Sequence, residues 1–186
     1  MSRRFFANFT VALLVCSVQP LSQLSAVPGE PASRITLAAQ GVPGTYELTL
    51  FKDTIGGITE VTDLNPLFVN EELVLWAHVE DSSGVPASSG SVTFQVCKHG
   101  RTDFRPSSDC DISGTARWVS LITMKVTAES CLALPQEAHG PGNACVDFGF
   151  VANPRTIGFR FRYTGQGSGI ASGISDSKDA TWNPLP

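Results

Sequence analysis

Along most of this sequence apolar side chains recur at every other position, in short runs closed by turn residues. Leu73, Leu75, Ala77 and Val79 form one such set, ending at Asp81-Ser82-Ser83-Gly84. Val92, Phe94 and Val96 form another, opened by Ser89-Gly90 and ending at Cys97. Val146, Phe148 and Phe150 alternate with Asp147 and Gly149, and Asn153-Pro154-Arg155 then turns the chain into Ile157, Phe159, Phe161 and Tyr163. A period of two sends successive side chains to opposite faces of a strand, so each run reads as a strand with one face to bury. No apolar stripe at i, i+3, i+4, i+7 follows the first segment, which leaves a helix bundle nothing to pack. Gly 17 and Pro 12 punctuate the runs. The expected fold is all-β, with several short strands in a sandwich.

Two stretches are less determined. Residues 115–127 (TARWVSLITMKVT) are rich in β-branched and aromatic residues and hold one long strand or two short ones. Residues 34–51 carry two extended runs, ITLAA and TYELTLF, split by Gln40-Gly41-Val42-Pro43-Gly44. Tyr46, Leu48 and Leu50 alternate with polar residues, but the pattern does not say whether this strand joins the main sheet. Residues 27–33 (VPGEPAS) read as a linker. The organisation expected is a leader over 1–26, a linker with an extra strand over 27–57, and the sandwich over 58–186.

The leader sets the compartment. Arg3 and Arg4 precede a mostly apolar run from Phe5 to Val18, and Ser25-Ala26 stand before Val27-Pro28, the layout of a secretory signal peptide. The run is short for a membrane span, and no second one follows. Cys16 lacks the small preceding residue of a lipoprotein site, since Val15 stands there. Cleavage removes Cys16 and leaves Cys97, Cys110, Cys131 and Cys145, an even set in an exported chain, which points to two disulfides. Of the three pairings, the local ones, Cys97–Cys110 and Cys131–Cys145, are favoured because each ties the base of a turn-rich loop. A four-thiolate zinc site is the weaker competitor, because neither pair has zinc-knuckle spacing. The chain is therefore expected to be secreted, periplasmic or at the cell surface. With 13 Lys+Arg against 17 Asp+Glu there is no basic excess to hold a nucleic-acid backbone.

The order Gly90-Ser91-Val92-Thr93-Phe94, Gly114-Thr115-Ala116 and Tyr163-Thr164-Gly165, with Asn65-Pro66 ahead of them, resembles the bacterial Ig-like repeat domains over about residues 58–183. The resemblance implies an immunoglobulin-like β-sandwich in an exported or cell-surface protein. The chain departs from those modules in having four mature cysteines, no tandem copy, and long segments at 98–113 and 132–144. Small exported proteins with a single such domain of unassigned activity are similar.

Site-bearing motifs are sparse. Asp109-Cys110-Asp111-Ile112-Ser113-Gly114 begins like a calcium loop, but its twelfth position is Ser120 rather than Glu, and a polar turn explains it as well. His78, His99 and His139 form no metal-ligand spacing. No serine has glycine at both −2 and +2, so no nucleophile elbow is present. Gly165-Gln166-Gly167-Ser168-Gly169 lacks the spacing of a phosphate loop and reads as a turn using positive φ. Nothing here fills the roles of an active site, so no enzyme and no cofactor are expected. Strand alternation throws Arg160 and Arg162 outward, with Arg155 at the preceding turn. They pair with acids such as Asp147, or else form a small patch for a carboxylate or acidic glycan. Trp76 falls opposite Leu75 and Ala77, where it covers the N-terminal strand or stacks a ligand, and Trp182 sits near the C-terminus.

The sequence thus leads to an exported, disulfide-braced, non-enzymatic module that contacts a protein or cell-surface glycan outside the cytoplasm. The alternative is a discrete ligand-binding module, for glycan or calcium, using the 98–113 and 132–144 loops. An enzyme with an unrecognised site comes last.

Overall fold

The alternating runs become the strands of two stacked sheets. The structure, a computed structural model, describes residues 41–54, 57–112, 116–126 and 139–186. The expected leader (1–26), the linker (27–33) and the ITLAA run lie outside these. The first sheet has the order β2-β1-β4-β8, with β1 at Gly44–Thr54, β2 at Gly57–Glu60, β4 at Glu72–Asp81 and β8 at Asn143–Phe150. The second runs β3-β11-β9-β5 from β3 (Leu67–Phe68) through β11 (Lys178–Asn183) and β9 (Arg155–Thr164) to β5 (Ser91–His99). β6 (Asp103–Phe104) and β7 (Arg117–Lys125) also pair with β5, and β10 (Gly173–Ile174) pairs with β9. Among the described residues there is one short helix, α1 (Ser107–Asp111), which buries no residue of its own, as the missing apolar stripe requires.

The core is made by the inner faces of both sheets. Leu73, Leu75, Ala77 and Val79 of β4 meet Val92, Phe94 and Val96 of β5 and Ile157, Phe159, Phe161 and Tyr163 of β9, all fully buried. Burial of side chains of this size is worth roughly 1.5–3 kcal/mol each. The turn after β4 forms as its sequence demands: the Asp81 carboxylate accepts the Ser83 and Val85 N–H groups, and Gly84 takes φ +80°.

β1 belongs wholly to this core. It pairs with β4 from Gly44↔Asp81 to Asp53↔Glu72, and Leu48 and Leu50 point inward. The sandwich therefore begins well before residue 58. Val42 makes a parallel bridge to Ile170, its N–H donating to the Gly169 carbonyl at 2.8 Å, so the chain touches the connection between β9 and β10 before entering the first sheet. Lys52, at the inward end of β1, is buried; its amine donates to the Pro66 carbonyl at 2.7 Å and lies 3.4 Å from the Glu71 carboxylate.

Two expectations, on Phe150 and on the 98–113 segment, need correction. Phe150 does not share an inner face with Val146 and Phe148: a bulge opposite Leu73/Val74, with Gly149 at φ +87°, turns it out to 60% exposure beside Glu72. One extra residue in a strand flips everything after it. Trp182 lies in the core with no exposed surface, its indole N–H donating to the Glu71 carbonyl at 3.2 Å. The 98–113 segment is no open loop, since it carries β6 and α1. Residues 117–125 form one strand. Among the described residues one disulfide is seen, Cys97–Cys110, rather than two; the second expected bridge ends on Cys131, outside them.

Candidate interaction face

The outer face of the second sheet brings charged, polar and aromatic side chains together. Because β9 buries its odd-numbered residues from 157 to 163, Arg160 and Arg162 point outward. Arg160 stands opposite Gln95 on β5, and its Nε donates to the Gln95 Oε1 at 2.9 Å. Its guanidinium lies 4.4 Å from the ring centre of Trp118, which enters β7 opposite Cys97. The Trp118 Nε1 donates to Asp111 at 3.0 Å, and the same carboxylate accepts the Ser177 hydroxyl at 2.8 Å. Burial holds the Arg160 guanidinium below its ordinary pKa, partly offset by Asp111.

This chain of contacts fastens the 98–112 excursion to the sheet. The Cys97–Cys110 bridge anchors one side of α1. The Ser107 N–H donates to Asp179 at 2.7 Å, and the Gly158 N–H to the Arg105 carbonyl at 2.8 Å. Gly158 is what permits the approach: a Cβ there would sit 2.3 Å from the Ser107 nitrogen. Arg160 and Trp118 thus act as a clamp, a cation over an indole face worth roughly 0.5–2 kcal/mol.

The residues singled out from sequence fall in separate places. Arg162 is exposed opposite Thr93 and Ile174. Arg155 sits at the start of β9, five residues from Arg160 and so about 16 Å away at strand rise; its guanidinium lies 5.7 Å from the Phe104 ring. Their expected partner, Asp147, is on the other sheet and accepts the Gly149 N–H at 2.7 Å, so that pairing is not made. The three arginines form no single patch. Trp76 lies on the outer face of the first sheet, between Thr49 and Cys145, edge-on to Phe51 at 6.2 Å and stacked on His78 at 5.5 Å. Its Nε1 is buried with no hydrogen-bond partner among the described residues. Trp118, Gln95 and Ser177 escaped the sequence reading, because the signal joining them is cross-strand register.

The metal motifs find other uses. His78 Nδ1 lies 2.8 Å from the Asn143 Oδ1, His99 lies 4.0 Å from Asp103, and the His139 carbonyl accepts the Asn143 amide at 3.3 Å. Asp111 is turned to Trp118 and Ser177, Cys110 is in the disulfide, and positions 113 and 114 lie outside the described residues. Among those described, no three His, Cys, Asp or Glu side chains group to hold a metal ion. Most of the 132–144 loop also lies outside them. An open cleft of about 510 Å³ borders the opposite edge, lined by Leu50, Glu60, Asp63, Lys178, Asp179 and Thr181 among others.

Among the described residues the face ends at β7. β7 pairs with β5 from Ser91↔Lys125 to Lys98↔Arg117, and no described strand lies along its other side. Leu121 and Ile122 are 37% and 43% exposed there, an unusual cost for an edge nine residues long. No helix among the described residues is long and apolar enough to cross a membrane. No family model matches the chain, and no curated protein is similar to it.

Proposed function

We propose that this chain is an exported, non-enzymatic immunoglobulin-like module that holds another macromolecule at the free edge of its second sheet. The observation that carries the reading is β7, a long strand with no other strand along its outer side among the described residues and with exposed Leu121 and Ile122. Such an edge is a template for pairing with another chain. Reading β1, β4 and β8 as strands A, B and E, and β5, β9 and β11 as C, F and G, gives the two-sheet partition of an immunoglobulin-like domain, which supports that part of the proposal. The disulfide supports folding in an oxidising compartment, whether secreted, periplasmic or at the cell surface. A second bridge, Cys131–Cys145, belongs to the same proposal. Arg160 is already engaged by Gln95 and Trp118, which favours macromolecular association over a discrete anion site.

The test is retention of the full oxidised chain on the producing cells' envelope fraction, against a Leu121→Lys/Ile122→Lys variant of matching circular dichroism. Saturable retention that drops at least tenfold in the variant is expected. No retention of the native chain, or equal retention of both, refutes the reading. N-terminal sequencing of the exported protein is expected to begin near Val27, and its non-reduced mass to fall short of the reduced mass by four hydrogens.

A further inference from the structure

Strand register sets the outward residues of β7, β5 and β9 in rows across the outer face of the second sheet. One row is Lys125, Ser91 and Thr164, and the next is Thr123, Thr93 and Arg162, with Ile174 of β10 beside it. The third is Ser120, Gln95 and Arg160, with Trp118 beyond it. The Thr93 and Thr123 hydroxyls lie 2.8 Å apart, as side chains on one face must. Lys125 and Arg162 are exposed, and neither they nor Arg160 make an ion pair among the described residues. The three rows contain no carboxylate. Asp111, at the Trp118 end, is engaged by the indole and by Ser177, Asp179 accepts the Ser107 N–H, and Asp176 lies in the β10–β11 connection. A chain with 13 Lys+Arg against 17 Asp+Glu thus sets three cations on one face with no acid in their rows.

We infer that this face binds an acidic polysaccharide, with its carboxylate or sulfate groups on Arg162 and Lys125 and its hydroxyls on Ser91, Thr93, Ser120 and Thr123. At the usual strand rise and spacing, Arg160 and Arg162 lie about 7 Å apart along β9, and Lys125 about 12 Å from Arg162 across β5. Charges so spread on a sheet face do not enclose a small anion, and each exposed pair is worth little alone. A polymer of repeating charge meets several of them at once, and its contacts reinforce one another. The rival polymer is an acidic peptide. Protein interfaces centre on buried apolar and aromatic anchors. Here the apolar side chain beside the rows is Ile174, and Trp118 is already stacked on Arg160. Short hydroxyls fixed on strands match the many hydroxyls of a sugar chain instead. The inference goes beyond the edge reading above, because it uses the side chains of the face and not the β7 backbone.

The probes are polygalacturonate, dextran sulfate, neutral dextran and poly-glutamate, titrated calorimetrically into the full oxidised chain. At least one acidic polysaccharide is expected to bind tenfold or more tightly than dextran and poly-glutamate, with an affinity that falls as salt rises. The tighter of the two names the anionic group. Arg162→Ala/Lys125→Ala, at two exposed positions, should lower that affinity at least tenfold with circular dichroism unchanged. Thr93→Val/Thr123→Val removes two hydroxyls at nearly constant volume and should lower it at least threefold. Arg101→Ala/Arg117→Ala, at two exposed arginines outside these rows, should leave it as it was. Absence of binding to both acidic polysaccharides overturns the inference, as does equal binding of poly-glutamate or an equal loss in the Arg101/Arg117 pair. If Leu121→Lys/Ile122→Lys abolishes envelope retention while no polysaccharide binds, the edge reading stands and this one fails. Polysaccharide binding, with envelope retention unaffected by that variant, gives the reverse.

Discussion

Gly158→Ala probes how the disulfide-bearing excursion is seated. Gly158 lies on the outer face of β9 and has ordinary backbone angles, so the effect of an added methyl is steric. Its Cβ would meet the Ser107 nitrogen at 2.3 Å, Cα at 2.5 Å and Cβ at 2.9 Å, all rigid neighbours. If the segment stays in place, overpacking costs about 1–3 kcal/mol. If it lifts, the bonds from Gly158 N–H to Arg105 and from Ser107 N–H to Asp179 are lost. Those are worth about 1 kcal/mol for the neutral pair and somewhat more for the charged one. Both routes give about 2–3 kcal/mol, which lowers a urea midpoint by about 1 M or more at the slopes usual for small domains. Reduction of Cys97–Cys110 by dithiothreitol under native conditions should also accelerate, since lifting uncovers that bridge. Gly167→Ala is the control: with φ +75° and nothing within 4 Å, it should cost about 1–2 kcal/mol from backbone strain alone and leave the reduction rate unchanged. A Gly158→Ala protein within about 0.5 kcal/mol of native, the size expected of an ordinary surface change, with unaltered reduction would refute the seating argument.

Other expectations follow from the same packing. Replacing Cys97 and Cys110 by Ala opens a loop of separation 13 and should destabilise the fold by roughly 3 kcal/mol in equilibrium unfolding, on the chain-entropy estimate. Phe148→Ala should cost about 3 kcal/mol, because that ring meets Phe104, Phe159 and Trp182 at 5.9, 4.8 and 6.1 Å; Phe150→Ala, two residues on but exposed, should stay within about 0.5 kcal/mol. Equal effects would deny the bulge. Burial, with a smaller contribution from Tyr163, raises the Tyr46 hydroxyl above its ordinary pKa of 10.0, against a lowering bond from Gly44. The unfolded chain therefore loses that proton first as pH rises. The stability contributed is full below the ordinary value and lost as pH climbs through the raised one. Tyr46→Phe should flatten that alkaline decline while losing about 1 kcal/mol at neutral pH, the worth of the 2.6 Å bond to the Ala171 carbonyl.

Much of the sandwich is legible from residue type alone. The inner faces of β4, β5 and β9 follow directly from period-two alternation, because each lies inside a sheet with one face to the core. β1 shows the same alternation in Tyr46, Leu48 and Leu50, yet its place beside β4 is a matter of topology that no local pattern encodes. Phe150 misleads because a bulge has no signature beyond a single glycine. Trp182 is core because β11 pairs with β9 on the buried side, through Ala180↔Ile157, and a terminal position says nothing of that. The clamp was half visible: alternation puts Arg160 outward, but the Trp118 that stacks on it arrives from β7 and the Asp111 that orients Trp118 from α1. That β7 has no second strand beside it among the described residues is invisible in a run of β-branched residues that would suit a central strand equally well.

The bridge between Val42 and Ile170 places one end of the described sandwich at the pole where β9 finishes and β5 starts. β11 runs antiparallel to β9 and leaves at the opposite pole, at Asn183 beside Leu67 and Phe68. A pull applied between these ends runs along the strands. It loads the backbone bonds of β1 on β4 and of β11 on β9 together, in shear, instead of peeling them one by one. A tethered module built this way carries tension through its whole width, while β7 lies outside that line of force.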